Sequence, residues 1–272
     1  MSAPSPKPAL VPRETDLLHA LQDRAKELTA LHQTARVLQD DHRSVQEVLG
    51  SVIALLPPAW QYPESALGTG MLWFGWYGFN AGSELRVDHV TSLAFINTDT
   101  VGSFAAITWL IVAWIFEKKP KFLGLLTGSI AGLACITPAA GYVSVPVAAL
   151  IGVIASLVCY VAINLKNKLG WDDALDVLGV HGVGGTLGVV LLGVFAEKTM
   201  NESGADGLLR GGGAFFVKEV ATVAGFSLYA FVLRYAALVV VNKFTPVRAS
   251  ESEEEVGLDN PLHGEEAHVG EV

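Results

Sequence analysis

From Phe122 to Leu165, 44 consecutive residues contain no Asp, Glu, Lys or Arg. No soluble domain needs such a run. A bilayer core about 30 Å thick does, because each helix crossing it takes about 20 apolar residues. Charged residues make up only 17% of the 272-residue chain, against about a quarter in a typical soluble protein, and the mean hydropathy is +0.43. This composition excludes an ordinary soluble enzyme and argues against an outer-membrane barrel, whose strands alternate polar and apolar in pieces of about 10 residues. The net charge of −9 is mostly local: residues 249–272 hold eight acidic side chains and no Lys or Arg. No basic stripe offers a nucleic-acid surface. Cys135 and Cys159 both sit in apolar stretches and read as small packing residues, not as a disulfide or metal ligands. The start of the chain has no apolar h-region of a cleaved signal peptide.

The chain divides into three parts: a helical or linker segment at 1–63, a membrane domain at 64–248 and an acidic tail at 249–272. In the first part Leu17, Leu21, Leu28, Leu31, Ala35 and Leu38 mark a short a/d seam, with Arg24 in the missing slot. Ser44 and Glu47 then form a capping box before a second amphipathic run that Pro57-Pro58 ends. This part is either a solvated helical linker or a partner-binding helix pair.

The membrane domain contains six segments of spanning length, at about 66–83, 92–116, 122–138, 144–165, 174–196 and 215–241. The expected fold is therefore all-α: a polytopic helical membrane protein. If the segments alternate, the loops at 118–121 and 166–168 and the end at Lys243 and Arg248 carry seven basic residues on one side. The other side carries four: Arg86, Lys198, Arg210 and Lys218. The positive-inside rule then places both termini in the cytoplasm. Gly124, Gly128 and Gly132, and again Gly184 and Gly188, have the spacing that lets helix backbones approach closely.

His181 stands near the middle of an apolar segment. An ionisable group at that depth is either functional or a neutral imidazole bonded to a neighbouring helix. Gly179, Gly182, Gly184 and Gly185 surround it, which would suit a narrow imidazole-lined lumen. Trp73, Phe74, Trp76, Tyr77 and Phe79 crowd seven positions. Such rings attract cations, or form an interfacial aromatic belt. Asp172, Asp173 and Asp176 precede the histidine helix, where carboxylates complement a helix N-terminus. Asp99 and Arg234 have no evident role, although Asp99 would fit near the outer interface.

The stretches GWYGFNAGS, LTGSIAGLACITPAAGYVSVPVAALIG and DDALDVLGVHGVGG, together with the tail GLDNPLHGEEAH, resemble the ammonium transporter family (ammonium/methylammonium permeases, related to Rh proteins). The resemblance runs from about Ala66 to His268. It implies that His181 is the second of two pore histidines, Phe79 one of two stacked gate phenylalanines, Trp76 a pore-lining tryptophan and Ser83 the serine of an external ammonium recruitment site. Asp173 and Asp176, with Gly182, would support the histidine helix. The resemblance further implies a non-enzymatic transporter of ammonium or ammonia in the plasma or inner membrane. It would form a homotrimer embedded in lipid, take no cofactor or metal, and offer a cytoplasmic docking face to PII-type regulators. Family members have about eleven helices built as an inverted repeat plus one; only the second repeat and the final helix are matched. Residues 1–63 resemble the lead-in to a sensory GAF domain. Transport by this chain alone is therefore expected to be incomplete. The alternatives are an ammonium-responsive signalling or partner-binding membrane protein, or a non-functional fragment.

Overall fold

The structure, a computed structural model, describes residues 63–258 together with Leu262 and Gly264. The N-terminal seam and the GAF-like stretch lie outside the described residues. Among those described there are helices and no strands: α1 (Pro63–Gly82), α2 (His89–Glu117), α3 (Phe122–Ile136), α4 (Val145–Leu169), a π-helical turn (Leu178–Gly182) running directly into α5 (Val183–Phe195), a short 3-10 turn (Leu208–Arg210), α6 (Gly213–Val241) and α7 (Glu251–Val256).

The six apolar segments thus fold as six helices. On length and composition, four are able to cross a membrane: α2, α4, the π turn with α5, and α6. The 15-residue α3 is shorter, rising about 22 Å at 1.5 Å per residue. The helix ends fall within a few residues of where the sequence places them: α4 runs on past Lys166 to Leu169 and ends on Gly170 in the left-handed conformation, and the fifth segment starts its helical turn only at Leu178. Asp88 starts α2 by accepting the backbone N–H groups of Val90 and Thr91 at 2.9 and 3.1 Å.

The described residues separate into two units, one up to Val217 and one from Lys218 onward. In the first, α2 is the central element, packed on α3 and α4, with α1 against α2 and α3, and α5 against α3 and α4. Its buried face is made largely of small residues: Ala94, Val101, Gly102, Ala105, Ala106 and Ala113. The opposite face carries Phe104, Ile107, Ile111 and Ile115, all well exposed. Small residues inside and large apolar ones outside is the arrangement expected where lipid, not water, is the solvent.

The glycine stripe of α3 explains how close α2 lies. A Cβ at Gly128 would stand 2.5 Å from the Trp109 Cβ and 2.9 Å from the Ala105 carbonyl oxygen; one at Gly132 would stand 2.6 Å from the Ala105 Cβ. A Cβ at Gly188 of α5 would overlap the Cys135 carbonyl. Cys135 and Cys159 are buried free thiols in the core, as their apolar setting predicts. The polar loop after α5 is folded back: Glu197 receives an ion pair from Arg210 at 2.9 Å, and its backbone N–H donates to the Tyr142 carbonyl.

The second unit holds most of α6 and all of α7. None of the residues of α6 is buried. Ser250 and Glu253 close a capping box at the start of α7.

Candidate functional site

Helix α1 sorts its aromatic residues onto different faces. Trp73 lies against α2, where a Cβ at Gly102 would stand 2.6 Å from its ring. Tyr77, one turn on, stacks on Phe95 at 4.2 Å and donates its hydroxyl to the Asp99 carboxylate at 2.5 Å. This gives Asp99 a partner that the sequence did not reveal. Trp76 and Phe79 take another face, lining an open groove of about 690 Å³ with Met71, Leu72 and Gly75. Phe79 is 61% exposed. Ser83, just past the end of α1, donates its hydroxyl to the Phe79 carbonyl. Trp76, Phe79 and Ser83 therefore follow one another along one side of α1, over about 10 Å of helix rise.

The other wall comes from the π turn. The imidazole of His181 lies parallel to the Trp76 indole, with centroids 6.3 Å apart and an interplanar angle of 7°. Trp76 is itself fixed, because its Nε1–H donates to Thr137 Oγ1 at 2.8 Å and Thr137 Oγ1 donates to the Leu133 carbonyl. His181 also lines a hollow of about 380 Å³ together with Ser65, Thr69, Thr127 and Ile130. That hollow shares Gly68 and Leu72 with the groove at Phe79. A continuous surface thus leads from Phe79 past Trp76 to His181, with Ser83 one turn beyond Phe79. It is mostly apolar, with few groups able to bind a small polar species.

The glycines around His181 have two functions. Gly179 and Gly184 do not open a lumen. A Cβ at Gly179 would overlap Ile163 of α4, and Gly184 sits at ordinary contact distance from Cys159. These two let the turn pack. Gly185 has nothing within 4 Å of a Cβ position, and Gly182 meets only Leu178. The open face is therefore confined to Gly182 and Gly185.

Both carboxylate oxygens of Asp173 accept backbone N–H groups, from Val177 at 2.9 Å and from Leu178 at 2.8 Å. Asp173 thereby caps the first residues of the π turn, the role that carboxylates before a helix suggest. Asp176 adopts a left-handed backbone, φ 53°, and pairs with Lys166 at 2.6 Å. The sequence assigns Lys166 to the positive loop that sets topology, and its burial was not legible there. Thr137 was missed because nothing in the sequence links it to Trp76.

Residues 58–268 match the Ammonium Transporter Family. An ammonium transporter of Bacillus subtilis is 44% identical over 203 residues, which are 74% of this chain and 50% of that protein. One of Aquifex aeolicus is 45% identical over 207 residues, 76% of this chain and 48% of its own length. Among solved structures, Candida albicans Mep2 superposes with a TM-score of 0.65 at 33% identity, covering 69% of this chain and 43% of Mep2. A structure described as a sensor Amt protein gives 0.63 at 29% identity over 76% of this chain and 49% of its own. The chain spans about half the length of the curated relatives it matches. A match over more than three quarters of its residues, on an all-helical apolar scaffold, makes this multi-pass membrane protein a member of the ammonium transporter family.

Proposed function

We propose that this chain supplies one wall of a path for ammonium or ammonia, running from Ser83 past Phe79 and Trp76 to His181. The observation that carries the reading is the parallel stack of His181 on Trp76, two rings from separate elements beside a mostly apolar surface. Ammonium is a cation of four N–H donors. The Ser83 oxygen and the faces of Trp76 and Phe79 replace part of its hydration, since aromatic faces attract cations. Further in, the imidazole is surrounded mainly by apolar groups, among them Leu72, Leu126 and Ile130, with the hydroxyls of Ser65, Thr69 and Thr127. A poorly hydrated site disfavours the charged form, so the pKa of ammonium falls and ammonia becomes the favoured species there. His181 is the titratable side chain that lines this hollow, beside the hydroxyls of Ser65, Thr69 and Thr127, and the Trp76 ring lies parallel to it. Asp173 and Asp176 keep the turn that bears it in place.

The wall is completed by helices equivalent to the first half of the relatives. The assembled unit works as a trimer in the cell membrane, with both termini cytoplasmic and a cytoplasmic face open to a PII-type regulator. Uptake of radiolabelled methylammonium tests the reading. The chain is co-expressed with the first-half helices of the Bacillus subtilis relative, in cells lacking their own transporters. His181→Ala and Trp76→Leu should each lower uptake about tenfold, equivalent to ~1.4 kcal/mol on the barrier. Unchanged uptake in both variants, at equal membrane abundance, would refute the path.

A further inference from the structure

We propose that Lys166 is a positioning residue for His181: its ammonium group clamps the π turn in the one register that lays the imidazole on Trp76. This inference rests on the reading of His181 as a lining group of the path. Lys166 is only 6% exposed, although it lies in the last turn of α4. Lysine is almost never fully buried unless paired. Its Nζ donates to the Asp173 carbonyl oxygen and to Asp176 Oδ1, both at 2.6 Å.

The two acceptors are the residues that shape the turn. Asp173 holds Val177 and Leu178 through its carboxylate, while Lys166 holds Asp173 through its carbonyl. Asp176 carries the left-handed φ of 53°, a conformation that L-residues rarely adopt. Its backbone carbonyl accepts the Val180 N–H at 2.8 Å, one residue before the histidine. The ion pair offsets the strain at the point where the chain turns into the π segment.

Two further contacts make the clamp a register device. Gly170, left-handed at φ 66°, reverses the chain after α4 so that residue 173 returns to Lys166. Gly179 packs so closely on Ile163 that no side chain fits there. A shift of one residue would bring Leu178 or Val180 to that position. Asp173, Asp176 and Gly179 thus hold the turn at three points on α4, and two of the three run through Lys166.

The test uses the full chain in nanodiscs, labelled with ¹⁵N-histidine, with the His181 resonances assigned by loss in His181→Gln. Stacking on an indole displaces imidazole proton shifts by ring current, and Trp76→Leu measures the size of that displacement. In Lys166→Met the displacement should vanish, while Lys166→Arg should keep most of it. Should Lys166→Met fail to accumulate, Asp176→Asn is read in the same way. A displacement retained in whichever of these folds would overturn the proposal, whatever the change in thermal stability. Loss in both Lys166→Met and Lys166→Arg, with helix content intact, would also overturn it, since charge at that point would not be what positions the ring. The shift is independent of transport. A Lys166-dependent displacement alongside uptake indifferent to His181→Ala would leave the positioning standing and remove the transport reading.

Discussion

Thr137 bonds an indole across 61 residues of sequence, and its hydroxyl is the group that turns Trp76 toward His181. Thr137→Val keeps the shape and removes the acceptor. The loss should cost about 1 kcal/mol, more if the indole N–H finds no other partner. Tryptophan emission should change while helix content is kept, and the same change in Trp76→Leu would identify the reporting ring. At the other end of the molecule's chemistry, Asp88 has its carboxyl held below the ordinary range. The Thr91 N–H is the largest cause, with the Val90 N–H and the charges of His89 and Arg86 adding to it against partial desolvation. A lowered folded-state pKa means that the stabilisation is present above the unfolded value and lost as pH falls through the folded one. Amides of Val90 and Thr91 should therefore lose exchange protection only in strong acid, and Asp88→Asn should move that loss away from the acid limb. His181 stood out in the sequence as an ionisable side chain inside an apolar run, a functional group or a neutral imidazole bonded to a neighbouring helix. Thr137, Lys166 and Asp99 were not, because their roles depend on partners that only the packing brings near.

At the level of elements, the helices were legible and their contacts were not. Hydropathy and the basic loop at Lys118–Lys121 placed α2, α3 and α4 to within a few residues. The π turn at Leu178–Gly182 left no trace in periodicity, since five residues of altered pitch merge with the helix that follows. Such turns occur frequently at functional sites. The glycine pattern announced close packing but did not say which glycines make it. Gly188 and Gly185 separate the two cases. Gly188→Ala drives a methyl into the Cys135 carbonyl and should destabilise by about 1–3 kcal/mol, as overpacking does. Gly185→Ala enters open space and should be neutral or stabilising by up to about 1 kcal/mol, the helix-propensity gain. Steric-trap or thermal unfolding in detergent should rank them in that order, and the reverse order would mean that α5 does not lie against α3 at Cys135.

For the whole molecule, the relation between the chain and its relatives decides what it does alone. It spans about half of the curated relatives' length, and transporters of inverted-repeat design bind and conduct at the interface between repeats. The surface from Phe79 to His181 is open on one side: Phe79 is 61% exposed and His181 is also exposed. Set in lipid, that face would expose an imidazole to hydrocarbon, where an unsatisfied polar group costs several kcal/mol. Pairing two identical copies in parallel does not mend this, because the second wall of an inverted repeat is the first one turned over in the membrane plane. These 272 residues on their own should therefore give no methylammonium uptake in liposomes. Uptake should appear when the first-half helices of a relative are co-expressed, and the solvent accessibility of a cysteine at position 181 should fall at the same time. The coincidence matters, since a wall that closes over His181 without restoring uptake would place the path elsewhere. Uptake by the chain alone, abolished by His181→Ala, would show that one repeat builds a pore without the other.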